Sequence, residues 1–209
     1  MSRTRIRAVA ILAAVVTWWG AVPAADATVM VEVPIEDMAE SADAIVVGVV
    51  ESSGTRMVIG PQGQEPRTIT KLRVSEWLKG PADAEEITLR EIGGSWKGGG
   101  MRIDGTPTYE RGEEVLLFLK RHPDRPDVYK THQMIQGKFI ITRGAPGVPS
   151  TVRRDLDAVA FARWTDDRMT VEHGQSGPRI QLEELLRLVR RVVGTTARDG
   201  REGEVEGTR

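Results

Sequence analysis

The sequence predicts a mainly β protein built around a small barrel, and three stretches carry that prediction. Thr68 to Gly80 alternates its side chains with a period of two, placing Leu72 and Val74 on one face and Ile69 and Trp77 on the other, and stops at Gly80-Pro81. Ala44 to Val50 is a short continuous apolar block bounded by Asp43 and by Ser52-Ser53-Gly54. Val115 to Lys120 is the most apolar segment beyond residue 27 and reads as a central strand covered on both faces. Partly wetted strands of this length suit closure into a small barrel.

Taken in order, residues 1–27 are expected to lie outside the fold. Arg3, Arg5 and Arg7 precede the apolar run Ala8 to Trp19, followed by Pro23 and the small-residue site Ala25-Asp26-Ala27, the three regions of a secretory signal peptide. Cleavage is predicted after Ala27, giving a periplasmic or extracellular protein that begins at Thr28 and keeps no stable membrane anchor. A retained spanning helix is the competing reading, since Ala8 to Ala25 reaches the lower edge of the roughly 17 to 25 residues it needs, but Pro23 and the cleavage site fit export better.

Pro34 opens a short helix with Ile35, Met38, Ala39 and Ala42 on one stripe. Gly54 to Pro66, with three Gly and two Pro, is expected to be a long exposed loop between the strands at 44–51 and 68–77. Glu86 to Ile92 alternates as a third strand, and Gly93 to Gly100, with five glycines in eight residues, reads as a flexible loop. His122 to Asp127 is another predicted loop, and Val128 to Thr131 and Ile135 to Thr142 are further strands, with Gly137 a bulge or bend. These elements make up a predicted barrel domain over 28–142.

Gly144 to Pro149 marks its boundary. In the C-terminal extension, 143–194, Asp157 to Arg163 reads as a strand. Residues 181–193 form the clearest helix, with Leu182, Leu185, Leu186, Val189, Val192 and Val193 on one face, acids in its first turn, Arg190 and Arg191 in its last, and Gly194 placed to end it. It is expected to pack on the barrel, and residues 195–209 to be a disordered tail.

Of 29 basic and 30 acidic residues, the first 27 positions hold three Arg and one Asp, so 26 basic and 29 acidic residues remain. That balance gives no reason to expect a nucleic-acid partner. The chain has no Cys, which removes disulfides, thiolate metal sites and a cysteine nucleophile. Arg outnumbers Lys 23 to 6, as a GC-rich bacterial genome would encode.

Catalytic sets fail one by one. Gly93-Gly94-Ser95-Trp96-Lys97 misses the last glycine of a nucleophile elbow, and Gly98 is followed by Gly99 where a phosphate loop needs Lys. His122, His132 and His173 show no helical metal-ligand spacing, and a set from His122, Asp124, Asp127 and His132 is better explained by a proline-marked turn. Glu113-Glu114 and similar adjacent acids point to opposite faces if extended. The expectation is a non-enzymatic chain with no catalytic residue, no metal and no cofactor. Trp96, Tyr109, Tyr129 and Trp164 are the aromatics expected at the surface, and Trp96, Tyr109 and Trp164 are the set assigned to binding oligosaccharide or cell-wall glycan.

Ala42-Asp43-Ala44 through Val50 after a short helix, then Ile69 through Lys79-Gly80, then Gly112-Glu113-Glu114 through Phe118, resembles the netrin-like module and, within it, the N-terminal domain of tissue inhibitors of metalloproteinases. The resemblance spans roughly Ile35 to Ile141. It implies a five-stranded antiparallel barrel of the oligonucleotide/oligosaccharide-binding (OB) type, flanked by a helix and used to bind proteins. In those inhibitors a disulfide-bonded terminal Cys chelates the protease zinc; here Thr28 takes its place. The expected function is an exported protein-binding module acting through barrel loops, with a metallopeptidase inhibitor acting through Thr28, and so a secreted metalloprotease as partner, as the alternative.

Overall fold

The computed structural model describes residues 28–60, 63–123, 125–165 and 168–206, and the proposed leader, 1–27, lies outside them. Among the described residues the protein is mainly β, with two α-helices. Its strands are β1 (Thr28–Val31), β2 (Ala44–Gly60), β3 (Gly63–Lys79), β4 (Glu86–Ile92), β5 (Gly94–Trp96), β6 (Gly99–Met101), β7 (Glu114–His122), β8 (Arg125–Thr131), β9 (Lys138–Thr142), β10 (Thr151–Arg153), β11 (Val159–Thr165), β12 (Arg168–His173) and β13 (Ile180–Gln181). The helices are α1 (Ile35–Ser41) and α2 (Leu182–Glu206).

Eight strands form one large sheet in the order β13-β10-β9-β7-β2-β3-β4-β8. Because β8 also pairs with β7, five of them, β2, β3, β4, β8 and β7, close into a ring. The closure is partial: β4 and β8 meet in parallel only at Thr88↔Val128 and Leu89↔Tyr129. Along β2 and β7, alternate residues serve two different cores. Val46, Leu117 and Leu119 join Leu72, Leu89 and Tyr129 inside the ring, whereas Ile45, Val47, Leu116 and Phe118 pack outside it under the helices. Period-two alternation between two apolar environments is why both strands read as unbroken apolar runs.

The helices cover the outer core. Met38 and Ala39 of α1 and Leu182, Leu185, Leu186 and Val189 of α2 are buried in the same cluster. A helix of seven residues cannot persist alone, so α1 depends on that burial. The other helix runs past Gly194 to Glu206, beyond the stop read from sequence. Gly194 ends a helix only by turning left-handed; it does not, and a glycine inside a helix costs only about 1 kcal/mol.

The expected loop at 54–66 is instead the distal part of a β-hairpin. Antiparallel pairing continues from Ser52↔Lys71 to Gly60↔Gly63, and beyond Arg56↔Arg67, where β4 no longer flanks β3, β2 and β3 extend as a two-stranded arm. Thr55, Val58 and Ile59 favour the pleated backbone, and their pairing partners outweigh the local glycines. The glycine-rich 93–100 stretch is likewise a tight hairpin, β5–β6. Lys97 (φ 44°) and Gly98 (φ 82°) give positive φ at both central positions, as a type I′ turn requires. The 122–127 loop shortens to the turn between β7 and β8, and the strand read from Ile135 begins only at Lys138, after a 3₁₀ turn at Met134–Gly137. Near the bulge in β2, a side chain at Gly48 would place its Cβ 2.5 Å from the carbonyl oxygen of Arg73, so only glycine lets β2 and β3 approach this closely.

A second sheet joins the first described strand to a hairpin from the C-terminal part of the chain. There β1 pairs in parallel with β11, and β12 flanks β11 on its other side. Met30, Val159 and Phe161 turn inward to a small core with Leu156 and Ile135.

Candidate functional site

The side chains assigned to binding from sequence are not gathered together. Thr28 sits in β1, paired with Val159. Trp96 stands beside the β5–β6 turn, partly exposed, and Trp164 is 75 % exposed on β11. Tyr109 and Tyr129, read as surface aromatics, are buried at 6 % and 2 % exposure. Each owes its burial to a polar tip with a partner: the Tyr109 hydroxyl lies 2.5 Å from Thr131 Oγ1, and the Tyr129 hydroxyl accepts from Arg121. The glycan platform therefore loses Tyr109.

Behind Tyr109 lies a buried polar relay. Thr131 donates from its backbone N–H (2.7 Å) and its hydroxyl (2.6 Å) to Glu91 Oε1. With the Thr131 proton so used, Tyr109 must be the donor in its own bond to Thr131. Burial raises the Glu91 carboxyl above its ordinary range, and burial together with the nearby Glu91 charge raises the Tyr109 phenol well above its own. Lys138 stands over the Tyr109 ring and spends its three N–H bonds on Thr108 O and both oxygens of Glu113. Glu114 turns instead to Arg143, so the adjacent acids serve two structural pairs. These contacts anchor the irregular 102–113 segment to the ring.

Among the described residues no three His, Asp or Glu side chains gather as metal ligands. The metal set considered from sequence includes Asp124, which lies outside them. Of its other members, His132 pairs with Ser41 Oγ at 2.8 Å.

A recess lined by cations lies elsewhere. A groove of about 520 Å³ runs between the β2–β3 arm and the β7–β8 turn. Arg67 of β3, Arg90 of β4, Arg121 of β7 and Lys130 of β8 line it, with Glu65 as an acid and Ile59 and Pro123 as apolar members. The Arg121 guanidinium is 5.7 Å from the Tyr129 ring centre, which holds its planar fork in place. Glu65 accepts from Arg67 Nε (3.0 Å) and Nη2 (2.5 Å). Sequence reading missed this site because its cations sit on four strands, each looking like an ordinary outward residue. Only the register of the ring brings them together.

A second exposed feature is apolar. Val29, Val31, Trp164, Met169 and Val171 are all more than half exposed. The pairings Val31↔Ala162↔Val171 and Trp164↔Met169 put them on one face of the small sheet.

The fold and site define a mainly β protein whose partly closed five-strand ring carries a cation-lined groove beside a projecting arm. No protein-family model matches the chain, and neither does any curated protein sequence. Among the described residues no helix is long and apolar enough to cross a membrane.

Proposed function

We propose that the protein is an exported, non-enzymatic binding module, an OB-like barrel of netrin-like type that engages a protein partner through the segments projecting from its ring. The observation that carries this reading is the groove's position. Numbered along the chain, the ring strands are ordered first, second, third, fifth, fourth and back to the first. The groove lies between the connection of the first two and the connection of the last two. OB barrels bind their ligands at this place, beside those same connections. The arm replaces the expected loop as the binding element, and a paired ribbon loses less entropy on binding than a free loop.

A shortened protein in which 57–66 is replaced by a two-residue Asn-Gly turn tests the reading. Pull-down from the native secretome should recover a partner with the intact arm and at least tenfold less of it with the short one. Equal recovery would remove the arm from the proposal.

Inhibition of a secreted zinc protease through Thr28 is a second reading, favoured by the pairing of Thr28–Val31 with Val159–Ala162. Strand pairing can order a chain terminus where no disulfide does. Titration against secreted zinc proteases should show inhibition by protein starting at Thr28, and its loss when one Ala precedes Thr28. Equal inertness of both forms would end this reading.

A further inference from the structure

Cations on the ring surface are usually answered by a carboxylate one strand away. Lys71 has Glu86 at 2.6 Å, Arg73 has Glu51 at 3.0 Å and Lys120 has Asp43 at 2.9 Å. Two of those pairs line a neighbouring cavity of about 570 Å³ and neutralise much of its charge. In the groove the pattern breaks. Glu65 is the only acid lining it among the described residues, and both of its bonds go to Arg67. Among the described residues Arg90, Arg121 and Lys130 make no ion pair. Like charges held close on neighbouring strands work against the sheet, so an anion from outside would relieve them.

We infer that the groove binds a short acidic segment of a partner protein, its carboxylates meeting Arg90, Arg121 and Lys130. This rests on the reading of the chain as a protein-binding module and adds the chemistry of what is bound. An extended peptide presents side chains of one face about every 7 Å, while strands lie about 4.8 Å apart, so acids at alternate positions reach cations on successive strands. Arginine supplies the planar fork that pairs with carboxylates in two-point fashion, and Arg121 is already held by Tyr129. Ile59, 86 % exposed, and Pro123 add apolar surface for the residues between the acids. That apolar lining separates a peptide from free phosphate. Nucleic acid fits less well: the Tyr129 ring in the groove lining is buried beneath Arg121 and is not open to a base, and the whole chain carries a net charge of −1.

Fluorescence anisotropy of a labelled peptide of alternating Glu and Leu tests the inference, with the same peptide carrying Gln for Glu as control. The Glu peptide should bind with an affinity that falls as salt rises, and the Gln peptide should not bind. Arg90→Gln and Lys130→Gln should each weaken binding about tenfold, whereas Arg111→Gln in the neighbouring cavity should leave it unchanged. Equal binding of the two peptides, indifference to both groove variants, or displacement by inorganic phosphate or oligothymidylate at lower concentration than by unlabelled peptide would overturn it. The two readings fail separately. A natural partner that needs the arm yet ignores Arg90→Gln/Lys130→Gln would sink the acidic segment and leave the binding module standing. Recovery of that partner without the arm, with the Glu peptide still bound, would remove the arm from the first reading and leave the acidic segment standing.

Discussion

Replacing Lys138 with methionine should lower the unfolding free energy by about 3–5 kcal/mol, read as a shift of the urea midpoint at unchanged slope. The Lys138 and Glu113 side chains are 9 % and 15 % exposed, and the lysine uses all three donors at 2.5, 2.8 and 3.0 Å. Methionine fills similar volume but leaves the Glu113 carboxylate and the Thr108 carbonyl without their partner in a region water barely enters. Most of the cost is therefore the stranded charge rather than the lost attraction. The double variant Lys138→Met/Glu113→Gln should recover a large part of the loss because it removes that charge. Cutting the exposed pair between Arg190 of α2 and Glu76 of β3 should barely move the midpoint. A Lys138→Met protein as stable as its parent would mean that this pair does not anchor the 102–113 segment.

Thr131→Val should cost about 2–4 kcal/mol, with a pH dependence that identifies the cause. Valine keeps the shape but deletes the middle of the relay, so the buried Tyr109 hydroxyl loses its acceptor and Glu91 keeps only the backbone N–H. Burial already holds the Glu91 carboxyl above the unfolded-chain value. As pH rises through the window between those two values, the unfolded chain gives up its proton first. Stability falls across that window and levels off above it. Deleting the Thr131 hydroxyl removes a bond that favours the carboxylate, which raises the folded value further and widens the window. Denaturation curves across acid to neutral pH should therefore show the gap between variant and parent growing with pH. A gap independent of pH would remove Glu91 from the explanation. Tyr109→Phe, which removes only the outermost donor, should cost about 1 kcal/mol with little pH dependence.

Most strands are legible in the sequence because their periodicity is strong: Glu86 to Ile92 and Val115 to Lys120 fall within one or two residues of β4 and β7. The misreadings have a common cause. Gly54 to Pro66 and Gly93 to Gly100 hold the residues that punctuate loops, yet each is paired across a tight hairpin, and pairing partners override local composition. Tyr109 falls in a stretch without periodicity, so nothing local signals that Thr131 and Glu91 will receive its hydroxyl. The groove is harder still. Arg67, Arg90, Arg121 and Lys130 converge only through the β4–β8 and β7–β8 pairings, and closure of a ring leaves no mark in a linear pattern.

The parallel pairing of β1 with β11 also orders events in time. Arg163 of β11 meets Glu32, just past β1, across 131 positions of chain, so the first described strand has no neighbour to pair with until most of the polypeptide has been made. During that interval Val29 and Val31 sit on an unpaired β-forming stretch. A chain emerging from its N-terminal end is thus expected to be most open to unwanted association before its last third arrives, with the small sheet closing late in folding.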